Sequence, residues 1–191
     1  MKTSKLQLFC ATAALVLLAA ALLRPASPSA PIADWQTTLH QRLLVYGHRN
    51  WIIVSDAAFP AYSQSSIETI AVNEDLPSVL RYVAKAISSS KHVQATPFVD
   101  QELQFVPEDV YPGVVELRQD IANTFGNNSS SSIPHAELIS KIDEAAKTFR
   151  VLLIKTNTTI PYTSVFLRLD CGYLSDEVER KIRNSMPATT K

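Results

Sequence analysis

The chain has 191 residues and a mass of 21.1 kDa, the size of one ordinary domain, and 18 basic residues balance 18 acidic ones, so the formal charge is zero and nothing marks a nucleic-acid binder. Only four glycines occur (Gly47, Gly113, Gly126, Gly172), no two closer than 13 residues, which excludes the clustered glycines of a dinucleotide turn or a phosphate loop. At 46% hydrophobic and 19% charged residues, the composition is neither disordered nor fibrous.

Residues 1–30 contain Lys2, Lys5 and Arg24 and no acid. A charged start, an apolar run over 6–23 and a Pro/Ser/Ala stretch over 24–30 follow the plan of a secretory signal. The run of 18 residues is also at the lower edge of a membrane span, so an uncleaved anchor is the alternative. Cleavage near Ser29 or Ala30 is the preferred reading, and the expected location is exported (periplasmic or secreted), or membrane-anchored if the signal stays. Cys10 lies inside the run without a lipobox-like residue before it. Beyond residue 30 there are 15 positives against 18 acids, a body charge of −3. There Cys171 is the sole cysteine, which excludes an intramolecular disulfide and makes small buried packing its expected role. Two stretches, 127–130 and 157–159, hold N-x-S/T sequons.

Along the body, Leu39, Leu43 and Leu44 at helical spacing predict a first helix, capped by Asp34 and ended by Gly47. Residues 51–55 form an apolar, β-branched run that reads as a buried strand. A second strand is expected over 66–72. A helix over 76–87 is marked by Asp75 at its cap, Pro77 in its first turn and one apolar face. Strands are expected over 93–99 and 103–106, a helix over 112–125, and a polar loop with nothing to bury over 127–132. Pro134 opens a helix through about Thr148, followed by strands over 151–155 and 165–170 and a charged helix over 176–183. Strands and helices alternate, so the expected fold is a three-layer α/β domain with a largely parallel sheet flanked by helices. The domain spans 34–173, with 174–191 as a C-terminal extension.

The most informative string is Gly47-His48-Arg49-Asn50-Trp51-Ile52-Ile53-Val54-Ser55-Asp56-Ala57-Ala58-Phe59-Pro60. In an open α/β sheet, ligand sites form beyond the carboxyl ends of strands, which makes residues 56–63 the first place to look. His48 precedes the buried strand and Asp56 follows it. Eight extended residues reach roughly 25 Å, so the two share a site only if the backbone bends or a second subunit supplies one of them. The plain alternatives are a helix-terminal role for His48, a turn for Asp56, a solvated charge for Lys141 and a packed aromatic for Tyr162. His135, at a helix start, reads as exposed. His40 and His92 have no ligand-spaced partner, so no metal site is expected. There is no serine-hydrolase elbow, and no local motif supports a thiol hydrolase at Cys171.

This string resembles the D-ribose pyranase and L-fucose mutarotase family, whose members carry Gly-His-x-(Asp/Asn)-x-(Ile/Leu)-(Ile/Val)-x-x-Asp-Ala-x-x-Pro near the start. A weaker second anchor is Pro161-Tyr162-Thr163-Ser164-Val165-Phe166-Leu167, and the likeness spans about 35–173. The resemblance implies a fold of that family and a cofactor-free interconversion of the cyclic forms of a free monosaccharide such as fucose or ribose. It implies His48 as general acid/base, Asp56 positioning it or binding sugar hydroxyls, and Lys141 where ribose-type members carry a site lysine. Tyr162 corresponds to the sugar-contacting tyrosine, and Ser164 stands where the family has asparagine. The resemblance also implies ring-shaped homo-oligomers, often decamers, with sites at subunit contacts. No nucleic acid is expected as a partner, and a membrane only through an uncleaved N-terminal segment. The alternatives are an exported monosaccharide-binding module of the same fold without turnover, which Ser164 and the extension from Asp170 to Lys191 motivate, and a membrane-anchored structural protein.

Overall fold

The computed structural model describes residues 34–126 and 130–187. The expected signal over 1–30, with Cys10, and the sequon asparagines at 127 and 128 lie outside the described residues. All five residues of Trp51–Ser55 (β1) are buried. Continuous Val and Ile content is what a strand covered on both faces requires. Its neighbours are Val151–Lys155 (β5), parallel, and Val165–Cys171 (β6), antiparallel. Outward from these lie Ile67–Ala71 (β2), parallel to β5, then Val93–Asp100 (β3), antiparallel to β6, and Ser131–Ile133 (β4), parallel to β3. The six strands stand in the order β2-β5-β1-β6-β3-β4, and β6 alone opposes its neighbours. The sheet is therefore mixed but largely parallel, with helices on both faces.

Side-chain alternation along β1 divides the core. Ile52 and Val54 point into a cluster with Trp35–Leu43 (α1), Leu76–Ser88 (α2) and Val114–Phe125 (α3), whose buried residues include Leu39, Leu80 and Ile121. Trp51 and Ile53 point the other way, against Leu138 and Ile142 of His135–Ala146 (α4), with Phe59 and Phe166. One further helix, Asp176–Ser185 (α5), follows β6. Among the described residues, no helix is long and apolar enough to cross a membrane.

Several expectations need correction. Residues 103–106 are not a strand: Gln101–Phe105 makes a 3₁₀ turn anchored by buried Leu103, and Pro107 cannot extend a ladder. The polar tract contains β4, whose backbone pairs with Phe98–Asp100; an edge strand needs backbone partners more than apolar burial. α1 ends at Leu43, ahead of Gly47, and the Asp34 side chain makes no cap bond. Asp75 does cap α2, accepting from the Ser78 N–H at 2.8 Å.

Candidate functional site

β1 delivers one residue to each end of the sheet. At its carboxyl end, Asp56 turns back on the chain: its Oδ1 accepts the Ala58 N–H at 2.9 Å, and its Oδ2 accepts from the Ser164 hydroxyl at 2.9 Å. Beyond it opens a cleft of about 490 Å³, within the usual range for a small-molecule site, lined by Asp56, Tyr111, His135, Ile160 and Tyr162 among others. Tyr162 has φ of 59°, a left-handed conformation rare for a bulky residue. Strain of that kind is kept where the surroundings over-determine it. Here Thr163 Oγ1 donates to the Ile160 carbonyl at 2.8 Å, and the tyrosine ring meets the His135 ring edge-on with centroids 5.5 Å apart.

His135 begins α4 and is only half-buried. Its Nδ1 lies 3.0 Å from Oδ1 of Asp100, a fully buried residue at the end of β3. Its backbone N–H reaches both carboxylate oxygens of Glu102, at 3.0 and 3.2 Å, so the 3₁₀ turn caps α4. Burial pushes the Asp100 carboxyl up to about 6; the His135 hydrogen bond and charge oppose that rise, and the Glu102 and Asp56 charges add to it. A carboxylate, an imidazole and an aromatic ring thus converge on one cleft, which is the equipment for binding a polyol and moving protons on it.

His48 stands at the other end of β1. Its Nδ1 is 3.7 Å from Asp170 Oδ1, its Nε2 is 3.2 Å from Arg49 Nε, and its side chain is 55% exposed. Arg49 has φ of 75°, and the turn is pinned by the Arg49 N–H to the Leu169 carbonyl at 2.8 Å and by Asn50 Oδ1 to the Gly47 N–H at 2.9 Å. Around it lie Thr96, Arg168, Asp170 and a half-buried Cys171. A further cleft, of about 650 Å³, lies elsewhere, beside the C-terminal ends of α2 and α3. Its ionisable lining is basic, Arg81, Lys85 and Lys91, with no histidine or carboxylate beside them.

The profile of the RbsD / FucU transport protein family matches residues 36–171. The chain belongs to this family. No curated protein sequence matches the chain. Among solved structures, RbsD of Bacillus subtilis complexed with D-ribose is similar, with a TM-score of 0.51 at 19% identity over 78% of this chain and 100% of that one. The fucose mutarotase of Streptococcus pneumoniae in complex with L-fucose gives 0.47 at 17% identity, over 71% and 91%. The likeness to RbsD establishes the fold.

For an RbsD / FucU chain, the placement of the site residues is informative. Asp56 and Tyr162 share the cleft, and Ser164, 1% exposed, faces Asp56. Lys141 lies on the exposed side of α4, paired with Glu137 at 3.2 Å, and does not line the cleft. His48 lines a separate cleft. Sequence reasoning missed Asp100, and expected His135 to be merely exposed. Their pairing spans 35 residues and leaves no local pattern. The available signal was Asp100 at a strand's carboxyl end, the rule that singled out Asp56.

Proposed function

We propose that this protein interconverts the cyclic forms of a free monosaccharide by acid/base ring opening, as a mutarotase or pyranase. The observation that carries the proposal is the convergence of Asp56, His135 and Tyr162 on one open cleft. Ring opening takes the proton from the anomeric hydroxyl, breaks the bond from C1 to the ring oxygen as the carbonyl forms, and gives a proton to that oxygen. Reclosure on the other face yields the other anomer, and reclosure through a different hydroxyl yields the other ring size. No electrons are exchanged, so one base and one acid suffice.

Tyr162 offers a flat surface for the sugar ring, and Asp56 accepts hydrogen bonds from its hydroxyls. His48 serves as the second proton-transfer group, supplied by a neighbouring copy, because it and Asp56 sit at opposite ends of a buried strand. A homo-oligomer with sites at subunit contacts belongs to this reading, as does export or anchoring through residues 1–30. The sugars D-ribose and L-fucose, bound by the two similar proteins, are the first candidates.

One-dimensional NMR exchange spectroscopy on ribose, fucose, galactose and glucose tests the proposal. Accelerated interconversion that His48→Ala removes is the expected result; no acceleration over buffer sinks it. The second reading is a binding module without turnover, favoured by the commitment of the Ser164 hydroxyl to Asp56 instead of a ligand. Calorimetric sugar binding without exchange would establish that reading.

A further inference from the structure

Asp100 is a carboxylate with no exposure at all. Its Oδ2 is buried without a hydrogen-bond partner among the described residues, and its Oδ1 meets only the ring of His135. A half-satisfied buried carboxylate costs stability, and the site at the end of β3 would hold a neutral side chain of the same shape more cheaply. What Asp100 does in return is hold one ring. The same stretch of chain grips His135 twice, through Asp100 on the imidazole and through Glu102 on the backbone N–H. The ring therefore cannot turn its other edge inward without breaking the Asp100 contact.

We propose that Asp100 is a positioning residue that fixes His135 in the tautomer with its proton on Nδ1, so that Nε2 faces the cleft as a proton acceptor. An ionised carboxylate accepts only, which forces the Nδ1 proton into place. If Asp100 takes up a proton it can donate to Nδ1, and Nε2 then carries the hydrogen and becomes a donor. The pair thus sets whether the cleft meets a base or an acid. The groups facing it are Glu102 on the 3₁₀ turn, Asp56 after β1 and Tyr162 before β6, with Tyr111 on the cleft wall. On α4, Glu137 is engaged with Lys141, and β4 contributes no titratable side chain. The catalytic consequence rests on the sugar-site reading, whereas the tautomer itself does not.

Long-range ¹H–¹⁵N NMR of the histidine rings tests this in the intact protein, with the His135 signals assigned by their loss in His135→Gln. At pH 7.5 the wild-type ring is expected to carry its proton on Nδ1 and to have a bare Nε2. In Asp100→Asn, the amide can donate to Nδ1, so the Nε2–H tautomer is expected to grow. Sugar exchange, where the wild type shows it, should fall at least about tenfold and change its pH profile. A dominant Nε2–H tautomer in the wild type, or identical ring spectra in Asp100→Asn, would overturn the proposal. The wild-type spectrum decides even if the variant fails to fold. An Nδ1–H ring in a protein that exchanges no sugar upholds the positioning role and rejects the proposed activity.

Discussion

Ser164 Oγ donates to Asp56 Oδ2 at 2.9 Å and receives the Asp56 backbone N–H at 3.3 Å, a two-way clamp between the start of β6 and the end of β1. With the Ala58 N–H on the other oxygen, the carboxylate is aimed by short local donors. Ser164→Ala should keep the fold but lose about 1–3 kcal/mol, the range for a removed buried hydrogen bond. That corresponds to a Tm lower by roughly 2–12 °C. The freed carboxylate should raise the sugar dissociation constant several-fold in calorimetry. Unchanged melting and unchanged binding would show that the clamp is incidental.

The opposite placement of His48 and Asp56 makes a sharper prediction. His48→Ala should lose about 10²–10⁴-fold in exchange rate, the usual contribution of a positioned proton-transfer group, and Asp56→Asn should lose most of its exchange with the acceptor for the sugar hydroxyls. His48 is exposed, so its variant should melt within about 0.5 kcal/mol of the parent. Mixed and reassembled, the two inactive variants should regain part of the activity, because some contacts then pair an intact His48 with an intact Asp56. A mixture as inactive as its components, despite confirmed subunit exchange, would place both residues' work within one chain.

Asp100 also predicts a stability profile. Its folded pKa, about 6, lies above the ordinary 3.8, so the native state holds more protons than the unfolded chain between those values. Its ionisation therefore costs stability progressively as pH rises from about 4 to about 6. Asp100→Asn removes that cost and should be more stable than the parent at pH 7–8, by on the order of 2–3 kcal/mol at a little over 1.3 kcal/mol per unit. The difference should shrink towards zero near pH 4. Denaturant titrations across that range measure it, and a variant less stable at every pH would mean that the carboxylate strengthens the fold.

How far the sequence alone reaches follows from which physical signal each feature leaves. The unbroken apolar runs at 51–54 and 151–154 lie in central strands because both faces are covered, and the apolar stripe of α2 is its buried face. The rise of a strand foretold that His48 and Asp56 stand apart. β4 escaped because Ser131 and Ser132 are exposed, so that backbone pairing to β3 and the packing of Ile133 alone hold it. The Asp100–His135 contact escaped because it forms only when β3 and the start of α4 meet across the edge of the sheet, and no spacing encodes that meeting. Lys141 shows the opposite limit: counting along the chain gave it a place on α4, but only coordinates show its amine turned to Glu137.

On the far side of the sheet, Arg42 Nε and Nη2 grip Glu68 at 2.5 and 2.8 Å, tying α1 to the edge strand β2. The Arg42 hydrogen bond holds the Glu68 carboxyl below its usual value of 4.5; burial, the next largest effect, opposes it, and the Arg42 and Arg150 charges add to the lowering. A depressed acid contributes stability above its unfolded pKa and loses it as pH falls through the folded one. Both side chains are more than a third exposed, at 36% and 39%, so solvent limits the contribution to about 0.5–1 kcal/mol. Glu68→Gln should lose that much at pH 7 in low salt and progressively less as pH falls below 4.5. A loss that does not change with pH would assign the effect to packing.

Gly172 closes the ladder between β6 and β3, where its N–H donates to the His92 carbonyl at 3.0 Å. A Cβ there would lie 2.8 Å from the Lys91 carbonyl oxygen and 2.9 Å from backbone atoms of Val93, none of which can swing aside as a side chain would. Gly172→Ala must therefore push two backbone segments apart, at a cost of about 1–3 kcal/mol, the usual range for overpacking. The disturbance has a defined route. His92 Nε2 contacts the carbonyls of Leu43 at 2.9 Å and Tyr46 at 3.2 Å, which lead directly into the turn bearing His48. Amide shifts in Gly172→Ala should cluster over residues 43–50 and 91–96 and spare the cleft around Asp56 and His135. Exchange should fall through the displaced His48 while calorimetric sugar binding changes by less than about twofold. Shifts spread evenly over the sheet, or a loss of binding equal to the loss of exchange, would show that the two ends of β1 do not act separately.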